Sequence, residues 1–271
     1  IVITGAASGI GRLVALGAAR KGAHVVIWDR DARAARSVSD AVHAAGGRGT
    51  VVVVDLADAD AIELAAAETL MLGSVDVLIN NAGVVSGRPL AELTAAQIDR
   101  TMRVNAIAPI LVTRALLPAM RDAGRGRIVT VASAAGLIGV AGQTDYAASK
   151  FAAVGFMESL RAELRKERSP ITTLTVAPFY IDTGMFAGVT TKVPALLPIL
   201  SSAAVATRIL AAIDSRRSML ALPPLVRVVP ALKVLPAAIA DRLADALGVN
   251  EGMDGFTGRG AVVEPPRARR D

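Results

Sequence analysis

The feature that most narrows the fold is an alternation of short β-branched runs with Ala-rich, helix-forming stretches. Residues 1–4, 24–28, 50–54, 75–79, 127–131 and 172–176 read as strands, and 219–222 as a short seventh. Residues 9–21, 31–45, 58–71, 94–120 and 144–168 carry helical patterns between them. Strands that are apolar throughout are buried on both faces, and their alternation with helices signals βαβ units. Right-handed crossovers then fold such units into a doubly wound parallel α/β sheet, here of six or seven strands flanked by helices. No repeat, low-complexity linker or composition break divides the 271 residues, so a single domain is expected.

Composition removes several function classes. The chain is 53% apolar and 20% charged, which is incompatible with disorder. It has no cysteine, which excludes disulfides, thiolate metal sites and a cysteine nucleophile. Its two histidines, His24 and His43, exclude a His-rich metal centre, so no metal is expected. Aromatics make up only 3%, too few for a stacking platform on single-stranded nucleic acid. The net charge of +6 comes from dispersed arginines and a basic tail holding Arg267, Arg269 and Arg270. We read it as composition, with no nucleic-acid partner. No signal peptide is visible, and the chain begins at Ile1 inside a strand, so an upstream segment is expected to be missing. No apolar run reaches the ~18 to 20 residues that span a bilayer. A cytoplasmic location, with peripheral membrane contact as an option, is expected.

The first strand runs into Thr4-Gly5-Ala6-Ala7-Ser8-Gly9-Ile10-Gly11. A strand, a glycine-rich turn and a helix N-terminus make an anion site, because glycines admit a pyrophosphate close to the backbone and the helix end offers unpaired N–H groups. Strand two ends at Asp29, 18 residues after Gly11, where a carboxylate accepts hydrogen bonds from an adenosine ribose and repels a 2′-phosphate. NAD is therefore favoured. Arg30 follows immediately and softens the preference, so NADP stays open. Strand three leads into Asp55-Leu56. Strand four leads into Asn80-Asn81-Ala82-Gly83, whose small residues leave room for an adenine ring and ribose.

Strand five leads to Ser133, and Tyr146 and Lys150 follow four residues apart on one helical face. A neighbouring ammonium is expected to lower the tyrosine pKa and make it a usable acid or base. Taken together, Thr4-Gly5, Gly9, Gly11, Asn80-Asn81-Ala82-Gly83, Asn105, Ser133, Tyr146 and Lys150 match the order and spacing of the short-chain dehydrogenase/reductase family. The resemblance covers residues 1 to about 183. It implies a Rossmann-type sheet, a homodimer or homotetramer, and NAD(P)-dependent alcohol or carbonyl chemistry. It also implies proton transfer by Tyr146, substrate oxygen held by Ser133, ribose held by Lys150, and a water relay supported by Asn105. Asp55 is implied to contact the adenine amine, and Gly5, Ser8, Gly9, Ile10, Gly11, Asp29, Arg30, Leu56, Asn81, Ala82, Gly83, Pro178, Ile181 and Thr183 to line the cofactor site. The family's usual glycine after Pro178 is replaced by Phe179.

Residues 178–188 and 196–200, with Trp28-Asp29 and Met253-Asp254-Gly255-Phe256, look like the branch holding animal retinol dehydrogenases and lipid-droplet hydroxysteroid dehydrogenases. The Ala/Arg-rich composition suggests a bacterial member. The segment after strand six supplies Phe179, Tyr180, Met185, Phe186, Leu196 and Leu197 for substrate, with Asp182 and Lys192 as almost its only fixed charges. These residues predict a bulky lipophilic alcohol or its ketone or aldehyde, retinoid-, steroid- or fatty-alcohol-like. The alternatives are a smaller carbonyl substrate and a cofactor-binding scaffold or sensor without turnover. We expect residues 1–143 to serve mainly the cofactor, 144–200 catalysis and substrate, 201–258 as a helical lid and 259–271 as a basic tail. Residues 219–240 read either as a lid or subunit contact, or as a membrane contact with Arg227 and Lys233 snorkelling to headgroups. Six of the eight aromatics fall within the 41 residues 146–186, and Trp28 precedes Asp29. This clustering suggests that they surround the site.

Overall fold

The computed structural model describes residues 1–215 and 217–258. The basic tail falls outside the described residues. Seven strands form one parallel sheet: β1 (Val2–Thr4), β2 (His24–Asp29), β3 (Arg48–Val53), β4 (Val77–Asn80), β5 (Arg127–Val131), β6 (Thr172–Pro178) and β7 (Met219–Leu222). Their order is β3-β2-β1-β4-β5-β6-β7, and every neighbouring pair is parallel. The chain reverses its direction of travel between β1 and β4, and a crevice opens at such a switch point above the carboxyl ends of the strands.

Successive strand residues point to opposite layers, and both layers are apolar. Ile3, Ile27, Ile79 and Val129 pack beneath α1 (Gly9–Ala19), α2 (Ala32–Ala44) and α7 (Ser202–Ile213). Val2, Val26, Leu78 and Ile128 pack on the other face against α3 (Ala59–Met71), α5 (Ala108–Asp122) and α6 (Thr144–Lys166). Ile3, Ile27, Leu78 and Ile128 are fully buried, each burial contributing about 1.5–3 kcal/mol. The helices begin where side chains replace missing backbone partners. Asp31 accepts from Ala34 N, Asp58 from Asp60 N and Ala61 N, and Ser201 from Ala204 N.

Three expectations change. The helix expected over 94–120 is broken into α4 (Ala95–Met102), a π-helical turn Arg103–Ile107, and α5. Helix α7 lies in the stretch expected to be a helical lid, but it covers the sheet instead of the cavity. It packs on α1 so closely that a Cβ on Gly17 would collide with Leu210 Cδ1. Trp28 does not face the site. It is fully buried in the core and donates to Thr69 Oγ1 at 2.9 Å. After β7, a 3-10 turn Pro224–Val228 leads into α8 (Val229–Leu232) and α9 (Ala237–Ala246). Among the described residues, no helix is long and apolar enough to cross a membrane.

Candidate active site

The two loops at the switch point are zipped together by side chain and backbone. Thr4 Oγ1 accepts from Asn81 N at 3.0 Å and Ala82 N at 3.1 Å, while Asn81 Nδ2 donates to Thr4 O at 2.9 Å and Gly5 O at 3.1 Å. Gly5 has φ +62°, and a Cβ there would lie 2.8 Å from Ala82 Cα. A Cβ on Gly11 would lie 2.5 Å from Gly5 O. Gly11 therefore permits the packing of the turn and lies outside the cleft lining.

Above these loops lies a cleft of about 470 Å3. Every residue assigned above to the cofactor lines it, apart from Gly11. The N-terminus of α1 opens onto the cleft with no acidic residue in its first turn, which suits an anionic pyrophosphate. Asp29 accepts from Ala7 N at 2.9 Å and from Asp31 N at 3.1 Å, so its carboxylate is fixed at the rim. Asp55 lies 3.8 Å from Arg100 Nη2 and accepts from Ala57 N. The glycine cradle, the helix end and the fixed rim carboxylate fit a dinucleotide. The sequence reading missed Arg100, Val84, Ser86, Phe256 and Thr257, which also line the cleft. Among the described residues, no group of three or more His, Asp or Glu could hold a metal ion.

At the inner end, Ser133, Tyr146 and Lys150 converge. Ser133 follows β5, and its hydroxyl accepts from Ala135 N at 3.1 Å and is hydrogen-bonded to Tyr146. Lys150 Nζ donates to Val131 O at 2.9 Å and lies 5.6 Å from the Tyr146 ring centroid. Asn105 sits in the π-helical turn, one layer behind the cleft. It accepts from Val84 N and donates to Val84 O, both at 2.8 Å, and donates to Ser149 Oγ at 3.0 Å. The absence of a side chain at Gly83 brings these groups together: a Cβ there would meet Asn105 Oδ1 at 3.4 Å and Lys150 Nζ at 3.5 Å.

The electrostatics correct one expectation. Burial pushes the Tyr146 phenol above its ordinary pKa, and the Ser133 hydrogen bond opposes this only in part. Lys150 does not produce the expected lowering; Tyr180 nearby raises the phenol further, and burial penalises phenolate and ammonium alike. It brings Lys150 down to about 8.

A second cavity, of about 230 Å3, meets the cleft at Ser133, Phe179 and Phe186. Tyr180 and Leu197 line it, and Leu225, Leu232, Leu243 and Leu247 from the lid close it. No charged side chain is among its lining residues. Met185 lines the cleft instead, and Leu196 lines neither space, being half-exposed. Residues 250–258 return as a strap. Thr190 N donates to Gly252 O, and Thr257 N and Gly258 N donate to Ala187 O. The Phe256 ring occupies the space that a side chain at Gly87 would fill.

This geometry agrees with the comparisons. The model for "short chain dehydrogenase" matches residues 1–194. The chain belongs to the short-chain dehydrogenase family. This short-chain dehydrogenase is 40% identical over 263 residues to epidermal retinol dehydrogenase 2 of Mus musculus, covering 96% of this chain and 85% of that protein. It is 37% identical over 287 residues to retinol dehydrogenase 10 of Homo sapiens, covering 94% and 84%. A short-chain dehydrogenase/reductase of Burkholderia phymatum, solved in complex with NAD, aligns with a TM-score of 0.78 at 29% identity over 86% of this chain and 92% of that one. A metagenomic short-chain oxidoreductase in complex with NADP aligns with a TM-score of 0.69 at 34% identity, covering 82% and 95%. The short-chain dehydrogenase is thus an oxidoreductase related to retinol dehydrogenases, and these neighbours support a nicotinamide cofactor.

Proposed function

We propose that this short-chain dehydrogenase interconverts a bulky lipophilic alcohol and its ketone or aldehyde, with NAD favoured over NADP. The observation that carries the reading is the charge-free apolar cavity, which joins the cofactor cleft at Ser133. An apolar body gains about 25 cal/mol per Å2 on burial there, while a sugar would strand its hydroxyls. When bound, the nicotinamide accepts or supplies the hydride. Ser133 holds the substrate oxygen, Tyr146 transfers its proton, and Lys150 holds the ribose beside them. Asn105 keeps the Val84 loop in register with α6 through its paired bonds. Asp29, fixed by two backbone amides, favours the ribose diol of NAD. Residues 1–143 then serve mainly the cofactor, 144–200 the chemistry and substrate, and of 201–258 the part beyond β7 closes the cavity, while α7 and β7 complete the sheet and its covering layer. A screen of NAD reduction over apolar alcohols and polar sugars tests the reading; faster turnover of sugars sinks it.

The lid supports peripheral membrane contact as well. Val228, Val234 and Ile239 are exposed there, beside the exposed cations Arg227 and Lys233. Co-sedimentation with anionic liposomes tests this, and absence of binding rejects it. A homodimer or homotetramer is the proposed assembly, and sedimentation equilibrium at micromolar protein checks it.

A further inference from the structure

The apolar cavity contains one polar feature that the proton-transfer chemistry does not use. Gln143 and Tyr180 are both buried, at 1% and 7% exposure, and both line the cavity. Gln143 Nε2 lies 3.0 Å from the Tyr180 hydroxyl. A primary amide offers two donors and an acceptor, and a phenol offers one donor and an acceptor, so one bond between them leaves most of that capacity unused. This holds for either orientation of the amide. If the nitrogen donates, the phenol proton and the amide oxygen remain. If the amide is turned, the phenol oxygen and the NH2 remain. Their mutual bond is the one side-chain hydrogen bond that either makes among the described residues, and the free end of the amide is not sealed off from the cavity. The pair is also held in place. Tyr180 stacks against Phe179 and Phe186, with centroids 4.6 and 5.2 Å away, and a Cβ on Gly252 of the strap would touch its ring at 3.2 Å. Tyr146 also packs against Phe186, edge-on with 5.7 Å between centroids.

Buried polar groups with unmet hydrogen bonds are costly, and sites that keep them reject ligands unable to satisfy them. We infer that Tyr180 and Gln143 form a second recognition point for an oxygen on the substrate, separate from the reacting oxygen at Ser133 and Tyr146. Resting on the lipophilic-alcohol reading, this narrows it to an apolar skeleton with two oxygen functions, such as a hydroxy-ketone or a diol. A single-oxygen alcohol would leave the pair unsatisfied.

The test compares n-alkan-1-ols with α,ω-diols of the same length, from six to twelve carbons, on the intact protein. Turnover with NAD gives kcat/KM, and calorimetry on the NADH-loaded protein gives affinity whether or not turnover occurs. The expected result is a diol-to-monool ratio that peaks at one or two lengths at about tenfold or more. Tyr180→Phe removes the hydroxyl and keeps the ring, and Gln143→Met removes the amide. Each is expected to flatten the peak. A variant that loses fold or general activity loses both substrates together, so the ratio separates recognition from structure. Monools and diols handled alike at every length would overturn the inference while leaving the lipophilic-substrate reading intact. A peak that survives both substitutions would overturn it too. If neither series binds nor reacts, both readings fall.

Discussion

Lys150 donates its ammonium to the backbone carbonyl of Val131 at 2.9 Å, so the cation of α6 is anchored to the end of β5 in a fully buried setting. Burial sets its pKa near 8, against 10.5 when exposed. The folded state therefore loses this proton before the unfolded state does. Where only the unfolded state carries it, stability rises with pH. The urea midpoint is expected to climb between pH 8 and 10, for a gain of up to about 3 kcal/mol. Above pH 10 the trend reverses, because the buried phenols of Tyr146 and Tyr180 keep protons that unfolded tyrosines release. Lys150→Met should remove the climb, and a midpoint flat across that window in the unsubstituted protein would refute the account.

Asp145 immediately precedes Tyr146 and binds α6 to two other elements. Its Oδ2 accepts from Ser86 at 2.9 Å and from Thr101 at 2.8 Å, while Oδ1 is buried without a donor among the described residues. Asp145→Asn keeps an acceptor and removes a buried charge, so unfolding free energy is expected to stay within about 1 kcal/mol. Asp145→Leu strands both hydroxyls and is expected to cost about 2 kcal/mol or more. Equal losses from the two substitutions in urea titrations would contradict this.

Cofactor choice should turn on Asp29. Replacing it by Ser removes the charge that opposes a 2′-phosphate, with Arg30 still lining the cleft. The ratio of kcat/KM for NADP to that for NAD is expected to rise at least about tenfold. The measurement needs one alcohol and both cofactors at matched ionic strength.

Gly136 is a remote lever on the site. A Cβ there would stand 2.6 Å from Lys150 O and 2.9 Å from its carbonyl carbon, both backbone atoms. Gly136→Ala must therefore shift α6 at Lys150, and overpacking of this kind costs about 1–3 kcal/mol. Turnover is expected to drop about tenfold or more while near-UV circular dichroism keeps its folded signature.

The strands were legible because a parallel sheet covered on both faces needs unbroken apolar runs, and Val25, Val26 and Ile27 show this directly by alternating between the two cores. The cleft was legible because glycines, a rim acid and a Tyr–Lys pair have narrow physical uses. Helix α7 was hidden because its apolar residues run on from the preceding apolar segment, although Ser201 was a readable cap. The break at Arg103–Ile107 could have been read from Pro109 in the first turn of α5, which lacks the N–H that an unbroken helix would bond to Asn105 O. Gln143 belongs to no motif in the sequence, and only the fold brings it to Tyr180, 37 positions later. The tyrosine pKa was misjudged for a similar reason. Charge proximity can be read from spacing, whereas desolvation depends on everything packed around the group.

The cavity and the cleft meet at one narrow seam, Ser133 with Phe179 and Phe186, while the leucines that close the cavity come from a segment that begins after the last strand. Changes in that closing segment can reshape what is held without moving the strand ends that present the redox partner. The outer wall of the cavity is thereby written beyond the last strand, while its inner wall, with Gln143, Phe179 and Tyr180, shares the chain with the groups proposed to react.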